Sequence, residues 1–205
     1  MTDRLTMPLG EAIFSQRAIR RYKPAPIADQ DLQTILLAAG RAPSATNQQP
    51  WRFLVVRNPE LKRRLQDAYT EGWWHRRRAA GIMGPQDIAA DDKVLQAAMR
   101  FTEEYAQAAA LILVCSVHTH VTNEILTACQ NMLLAARALG VGGTLTGIGG
   151  PAEPLTHQIF GIPDDVEVRF CVPLGYPQGR FGPAQRKPLS EMVFEDGWGK
   201  TPKWA

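Results

Sequence analysis

The stretch APSATNQQPWRFLVV, residues 42–56, sets a run of short polar side chains directly before an apolar strand. Trp51 opens that strand, and the aromatic and β-branched content of WRFLVVR predicts it over 51–57. Asn58 then caps a helix that carries Pro59 in its first turn and runs over 59–71. A structural turn needs two or three short polar residues, whereas Ser44, Thr46, Asn47, Gln48 and Gln49 all stand here between Pro43 and Pro50. The excess points to ligand chemistry at the mouth of a core strand.

Toward the N-terminus, a helix over 8–15 leads into the basic segment QRAIRRYKPAPI (16–27), where Pro24 and Pro26 forbid a continuing helix. Asp29 is expected to cap a helix over 29–39, in which Leu32, Ile35, Leu36 and Ala39 recur at i, i+3, i+4 and i+7 before Gly40. Toward the C-terminus come the segment GWWHRRRAAGIMGP (72–85), a helix over 86–106, a strand over 109–117 and a helix over 122–139. A glycine-rich stretch over 140–150, a short helix over 153–160 and a strand VEVRFCVPLGYP follow. Strands separated by helices predict an α+β domain over 1–205, with a mixed, largely antiparallel central sheet flanked by helices and an extended tail over 180–205. The helix over 122–139 is apolar nearly all round, which predicts burial on more than one face and a subunit interface.

Composition narrows the function classes. Hydrophobic content of 45% with 21% charged residues is that of a globular protein. The N-terminus shows no secretory pattern, so the expected compartment is cytoplasmic. The longest apolar run, AAALILVCSV at 108–117, falls short of the ~20 residues of a membrane helix, so no membrane partner is expected. Cys115, Cys129 and Cys171 sit apart in apolar segments and read as buried thiols. Neither they nor His118, His120 and His157 show metal-ligand spacing, so no metal is predicted. The net charge is only +3, yet Arg17, Arg20, Arg21 and Lys23 cluster in one place and Arg76, Arg77 and Arg78 in another. Two clusters on a nearly balanced chain suit an anionic small ligand better than nucleic acid.

Three segments carry the chemistry together. The basic segment offers Arg17 and Arg20 at i and i+3, a spacing able to grip a phosphate. APSATNQQPWRF (42–53) offers donors and acceptors for a polyol chain. GVGGTLTGIGG (140–150), with the distal RKPL (186–189), offers backbone groups against which a flat heterocycle can lie. Phosphate, polyol and flat polar ring describe flavin mononucleotide.

With these motifs, and with PLGYP at the end of the last strand followed by RKPL, the chain resembles the FMN-dependent nitroreductases over nearly its whole length. The resemblance implies a nitroreductase-like fold and an entwined homodimer with two FMN molecules in the subunit interface. It also implies NADH or NADPH as electron donor and a small aromatic acceptor such as a nitroaromatic or quinone, reduced by two electrons in ping-pong fashion. The family's basic motif, Arg-Arg-Ser-x-Arg, stands here as Gln16, Arg17, Ala18, Ile19 and Arg20, so phosphate binding should rest on Arg17 and Arg20 with Arg186 of the tail. By the same resemblance Ser44 and Asn47 contact the flavin, and Pro43 and Gln49 shape their turn. Leu145, Thr146, Gly147 and Ile148 lie along the ring system, with the Gly147 N–H donating to flavin N5. Arg20, or one of Arg76 to Arg78, supplies a cation at N1/O2; no side chain is required as a general base, since the cofactor carries the reaction.

The segment from Glu71 to Gln86 reads as a lid, with Trp73 or Trp74 as a stacking wall, Arg77 beside the substrate and His75 as a proton donor. Alternative readings keep the fold and change the reaction, to reductive dehalogenation or flavin fragmentation, or make the chain a flavin-binding protein without turnover. Dehalogenation would call on Tyr69, Glu71 and the run Arg76 to Arg78 to hold a zwitterion.

Overall fold

The computed structural model describes residues 4–117 and 122–205; His118 and His120 lie outside the described residues. The helices are α1 (Leu9–Ser15), α2 (Asp29–Ala39), α3 (Pro59–Ala79), α4 (Lys93–Glu104), α5 (Thr122–Ala138) and α6 (Ala152–Phe160). The strands are β1 (Trp51–Val56), β2 (Ala110–Ser116), β3 (Gly142–Gly143), β4 (Thr146–Gly147) and β5 (Glu167–Gly175). The sheet runs β1-β2-β5-β3, with β4 also paired to β5, and each of these pairings is antiparallel. The mixed sheet expected from the sequence is thus antiparallel throughout its described pairings.

Strand β2 is buried at every position because helices cover both faces of the sheet. Its period-two alternation sends Ile112 and Val114 into one core, with Leu32 and Ile35 of α2 and Met132 of α5. Leu111, Leu113 and Cys115 enter the other, with Leu65, Tyr69 and Trp73 of α3 and Phe101 of α4. Helix α5 lies on α2 and the sheet, but Leu126 and Thr127 remain exposed.

Three expectations need correction. Asp29 does not cap α2: Ala28 holds that position, and the Asp29 carboxylate instead pairs with Arg57. The helix expected over 86–106 starts at Lys93, where the Asp92 side chain accepts a hydrogen bond from the Leu95 N–H at 2.8 Å. The lid segment is, in its first half, not a separate element at all. Helix α3 continues unbroken from Pro59 through Gly72 to Ala79, with Asn58 capping it as expected.

Gly72 survives inside α3 because the helix needs it for packing rather than for a turn. A Cβ there would stand 2.7 Å from Ala152 Cβ and 3.0 Å from the Gly149 carbonyl oxygen, so its absence lets α3 close on α6 and on the glycine-rich stretch. The tail beyond residue 180 holds no regular element except a 3-10 turn at Leu189–Glu191.

Candidate active site

The basic segment is pinned along the β3 edge of the sheet. The Ile19 N–H donates to the Gly143 carbonyl at 3.0 Å, and Gly142 admits Ile19 because a Cβ would stand 2.6 Å from its side chain. Arg137 of α5 holds the adjoining helix: its Nε donates to Ser15 Oγ at 2.8 Å and its guanidinium lies 4.3 Å from the Phe181 ring. Arg17, Ala18 and Arg20 are exposed and Gln16 is half-buried. Among the described residues neither Arg17 nor Arg20 forms an ion pair. Arg186 is exposed and donates to the Gln185 carbonyl, four residues beyond the point where the Gly182 N–H ties the tail to Ser15.

Strand β4 continues the same edge. The Ile148 N–H donates to the Arg169 carbonyl, so Ile148 occupies a hydrogen-bonded position of the antiparallel ladder. Alternation then turns the Gly147 N–H away from β5, and nothing lies within 4 Å of where a Gly147 Cβ would be. Leu145 and Gly147 are exposed, whereas Thr146 and Ile148 are buried, as a period of two requires. Whatever Thr146 and Ile148 offer a ligand is therefore backbone.

The Thr146 hydroxyl is fully engaged: it donates to the Cys171 carbonyl at 2.7 Å and accepts from Tyr105 Oη at 2.7 Å. Tyr105 is completely buried and stacks on Tyr69 with ring centroids 4.3 Å apart. Burial pushes the Tyr105 phenol well above its ordinary range, and the Cys171 thiol up to about 12. This buried polar group beneath β4 was missed in the sequence, where Tyr105 reads as an ordinary core aromatic.

The polar turn is strained. Thr46, Asn47 and Gln49 have φ of 48°, 57° and 47°, which puts three non-glycine residues of one short turn in the left-handed region. Ser44 Oγ accepts from the Gln49 N–H at 3.0 Å and Gln49 Nε2 donates to Asn47 Oδ1 at 3.0 Å, bonds that hold the turn closed. Thr127 of α5 reaches the Pro43 carbonyl at 3.5 Å, and Trp51 beneath is buried in the core. Such strain concentrates at ligand-binding sites.

One chain does not unite these groups. Gly147 pairs with Phe170, Phe170 with Val114 and Val114 with Phe53, which places β4 three strand spacings from β1. At ~4.8 Å per spacing, plus the residues from Phe53 back to Gln49, the turn and Gly147 are on the order of 20 Å apart. Arg17, Arg20 and Gly147 share one edge of the sheet; Ser44, Asn47 and Gln49 lie beyond the other.

The α3 residues fall beside Gly149 and Gly150, just beyond β4. His75 lies against Gly150, where a Cβ would stand 3.2 Å from its ring. Trp73 is only 3% exposed, packed edge-on against Trp74 with Arg77 5.0 Å from its ring centroid, so it is a core residue and cannot wall a ligand pocket as expected. Trp74 is half-buried.

Residues 13–176 match the family model of the nitroreductase family. The chain belongs to the nitroreductase family. It is an oxidoreductase of that family, and its sequence is 34% identical over 168 residues to a protein of Archaeoglobus fulgidus provisionally named NADH dehydrogenase/NAD(P)H nitroreductase, covering 81% of this chain and 83% of that one. The iodotyrosine deiodinase of Nematostella vectensis is 23% identical, over 89% of this chain and 73% of its own. The fold is also that of the FMN-dependent nitroreductase of Clostridium difficile R20291, with a TM-score of 0.70, 18% identity and coverage of 90% and 96% of the two chains. Within this family member, the exposed Arg17 and Arg20 and the outward Gly147 N–H share one edge of the sheet, while the strained polar turn offers its donors and acceptors beyond the other. Among the described residues no helix is long and apolar enough to cross a membrane.

Proposed function

We propose that the chain is a single-domain, FMN-dependent NAD(P)H oxidoreductase that acts as a homodimer on nitroaromatics, quinones or similar flat acceptors. The observation that carries this reading is the exposed Gly147, whose N–H the β4–β5 register turns outward, on the edge that also holds the unpaired Arg17 and Arg20. When bound, the flavin takes a hydride from NADH or NADPH and passes two electrons to the acceptor.

The chain's own residues orient that chemistry. Arg17 and Arg186 would hold the phosphate, by charge-assisted hydrogen bonds. The Gly147 N–H would donate to the ring system, and Arg20 would supply a fixed cation where negative charge develops. Ser44 and Asn47 would come from a second copy, since a single chain keeps them on the far edge. The exposed Leu9 of α1 and Leu37 of α2 line a groove of about 560 Å³ that α5 also borders, and Ile13 and Phe14 of α1 are exposed as well, which supports a second copy covering this side.

The dehalogenation alternative is less well served. Tyr69 is buried and Glu71 is spent on Arg78 at 2.6 Å, so neither is free to hold an amino acid.

The test is the visible spectrum of the purified protein before and after anaerobic NADPH or NADH. Flavin bands that bleach on addition are expected, as is loss of most bound flavin in Arg20→Ala. A colourless protein that takes up no added FMN would overturn the reading.

A further inference from the structure

Tyr69, Gly72, Trp73 and Arg76 follow one another at helical spacing, so they share one face of α3. Gly72 is the point at which that face closes on the Gly149 carbonyl, and Arg76 stands one turn beyond it. Arg77 lies over Trp73, with its Nε buried and without a hydrogen-bond partner. The carboxylates near this face are already used: Glu71 pairs with Arg78 and Glu104 with Arg21. Among the described residues neither Arg76 nor Arg77 has an acidic partner. Arg76 and Arg77 stand three and four residues beyond Trp73, so both neighbour that ring position on the helix surface.

Like charges held together without counter-ions repel one another, and a ligand anion relieves that repulsion. Arg20 is assigned to the flavin in the reading above, on which this inference rests. Arg76 and Arg77 are then in surplus. We propose that Arg76 and Arg77, on the last turns of α3, which meets Gly149 and Gly150 through Gly72 and His75, form an anion subsite for the carboxylate or phosphate of a ring-bearing substrate. A flat ring lying along the glycine-rich edge can extend a charged substituent toward this turn, and a planar guanidinium suits either oxyanion. The bland explanation, that these arginines merely complement the C-terminal end of the helix dipole, predicts no ligand discrimination.

The test compares matched substrates in the FMN-loaded enzyme. The acceptor pair is p-nitrobenzoate and its methyl ester; the donor pair is NADPH and NADH, which differ by one phosphate. Arg76→Gln is expected to lower the kcat/KM ratio of charged to less charged partner by about tenfold in one of the two pairs, chiefly through KM. A fall confined to the acid–ester ratio assigns the subsite to the acceptor's carboxylate, and one confined to the NADPH–NADH ratio to the donor's phosphate. Arg76→Lys should restore part of the ratio, and Arg78→Gln should leave both unchanged. Benzoate titrated against benzamide, read by tryptophan fluorescence, gives a binding signal that needs no turnover. Unchanged ratios and unchanged benzoate affinity in both Arg76→Gln and Arg77→Gln would overturn the subsite. A protein that binds no FMN but loses benzoate on Arg76→Gln would instead overturn the flavin reading and leave the subsite standing.

Discussion

Thr146 shows how little polar surface this core tolerates without a partner. Its hydroxyl serves Tyr105 and the Cys171 carbonyl at once, and replacing it by Val leaves both without their bond while keeping the shape. Thr146→Val is expected to cost about 1–3 kcal/mol in urea denaturation, and Thr146→Ser much less. The same core makes the protein sensitive to alkali. Burial holds the thiols of Cys115 at about 11, and of Cys129 and Cys171 at about 12, against an ordinary 9.0. An unfolded chain releases these protons near pH 9 while the folded one retains them, so stability is intact below pH 9. It should fall between pH 9 and 12, by up to about 1.4 kcal/mol per pH unit for each thiol. Urea midpoints that stay level across that range would contradict the assignment. The apolar settings of the three cysteines were legible in the sequence; the partner of Tyr105, 41 residues away, was not.

Helix α3 was only half legible, because Gly72 and the basic run look like a break when their packing partners are unseen. Glycine inside a helix is ordinarily improved by alanine, by about 1 kcal/mol. Here Ala152 and the Gly149 carbonyl oppose the added methyl, so Gly72→Ala is expected to destabilise by about 1–3 kcal/mol in the same assay. The polar turn makes the reverse case. Thr46, β-branched at φ 48°, adopts a conformation that glycine holds without a steric penalty. Thr46→Gly should therefore raise stability by about 0.5–1 kcal/mol. A gain in stability accompanied by weaker FMN binding would show that the turn's strain serves the ligand.

The two groups of candidate residues stand on opposite edges of the sheet, and this arrangement makes a sharp test of assembly. If each site draws Arg20 from one copy and Asn47 from the other, both Arg20→Ala and Asn47→Ala homodimers lose flavin. A mixed dimer of the two variants contains one site with both defects and one with neither. Co-refolded mixtures should recover flavin absorbance toward one FMN per mixed dimer, while each variant alone stays pale. No recovery would place each site within one chain and remove the structural reason for a dimer. Light scattering at micromolar concentration is expected to give twice the mass of the chain.

The sequence by itself determined the local elements, because caps, prolines and apolar periodicity act within a few residues: Asn58 starts α3, Pro24 and Pro26 keep the basic segment extended, and the apolar run over 110–115 announces a core strand. Its motifs also carried the family, since Arg17, Arg20, Asn47 and Gly147 keep their order along any fold the chain adopts. Only the tertiary structure decided which of them meet. Antiparallel register turned the Gly147 N–H outward, the contact of Gly72 with Ala152 carried α3 through the expected lid, and sheet order set Ser44 and Asn47 an edge away from Arg20. Those outcomes depend on contacts between residues far apart in sequence, which no local propensity encodes.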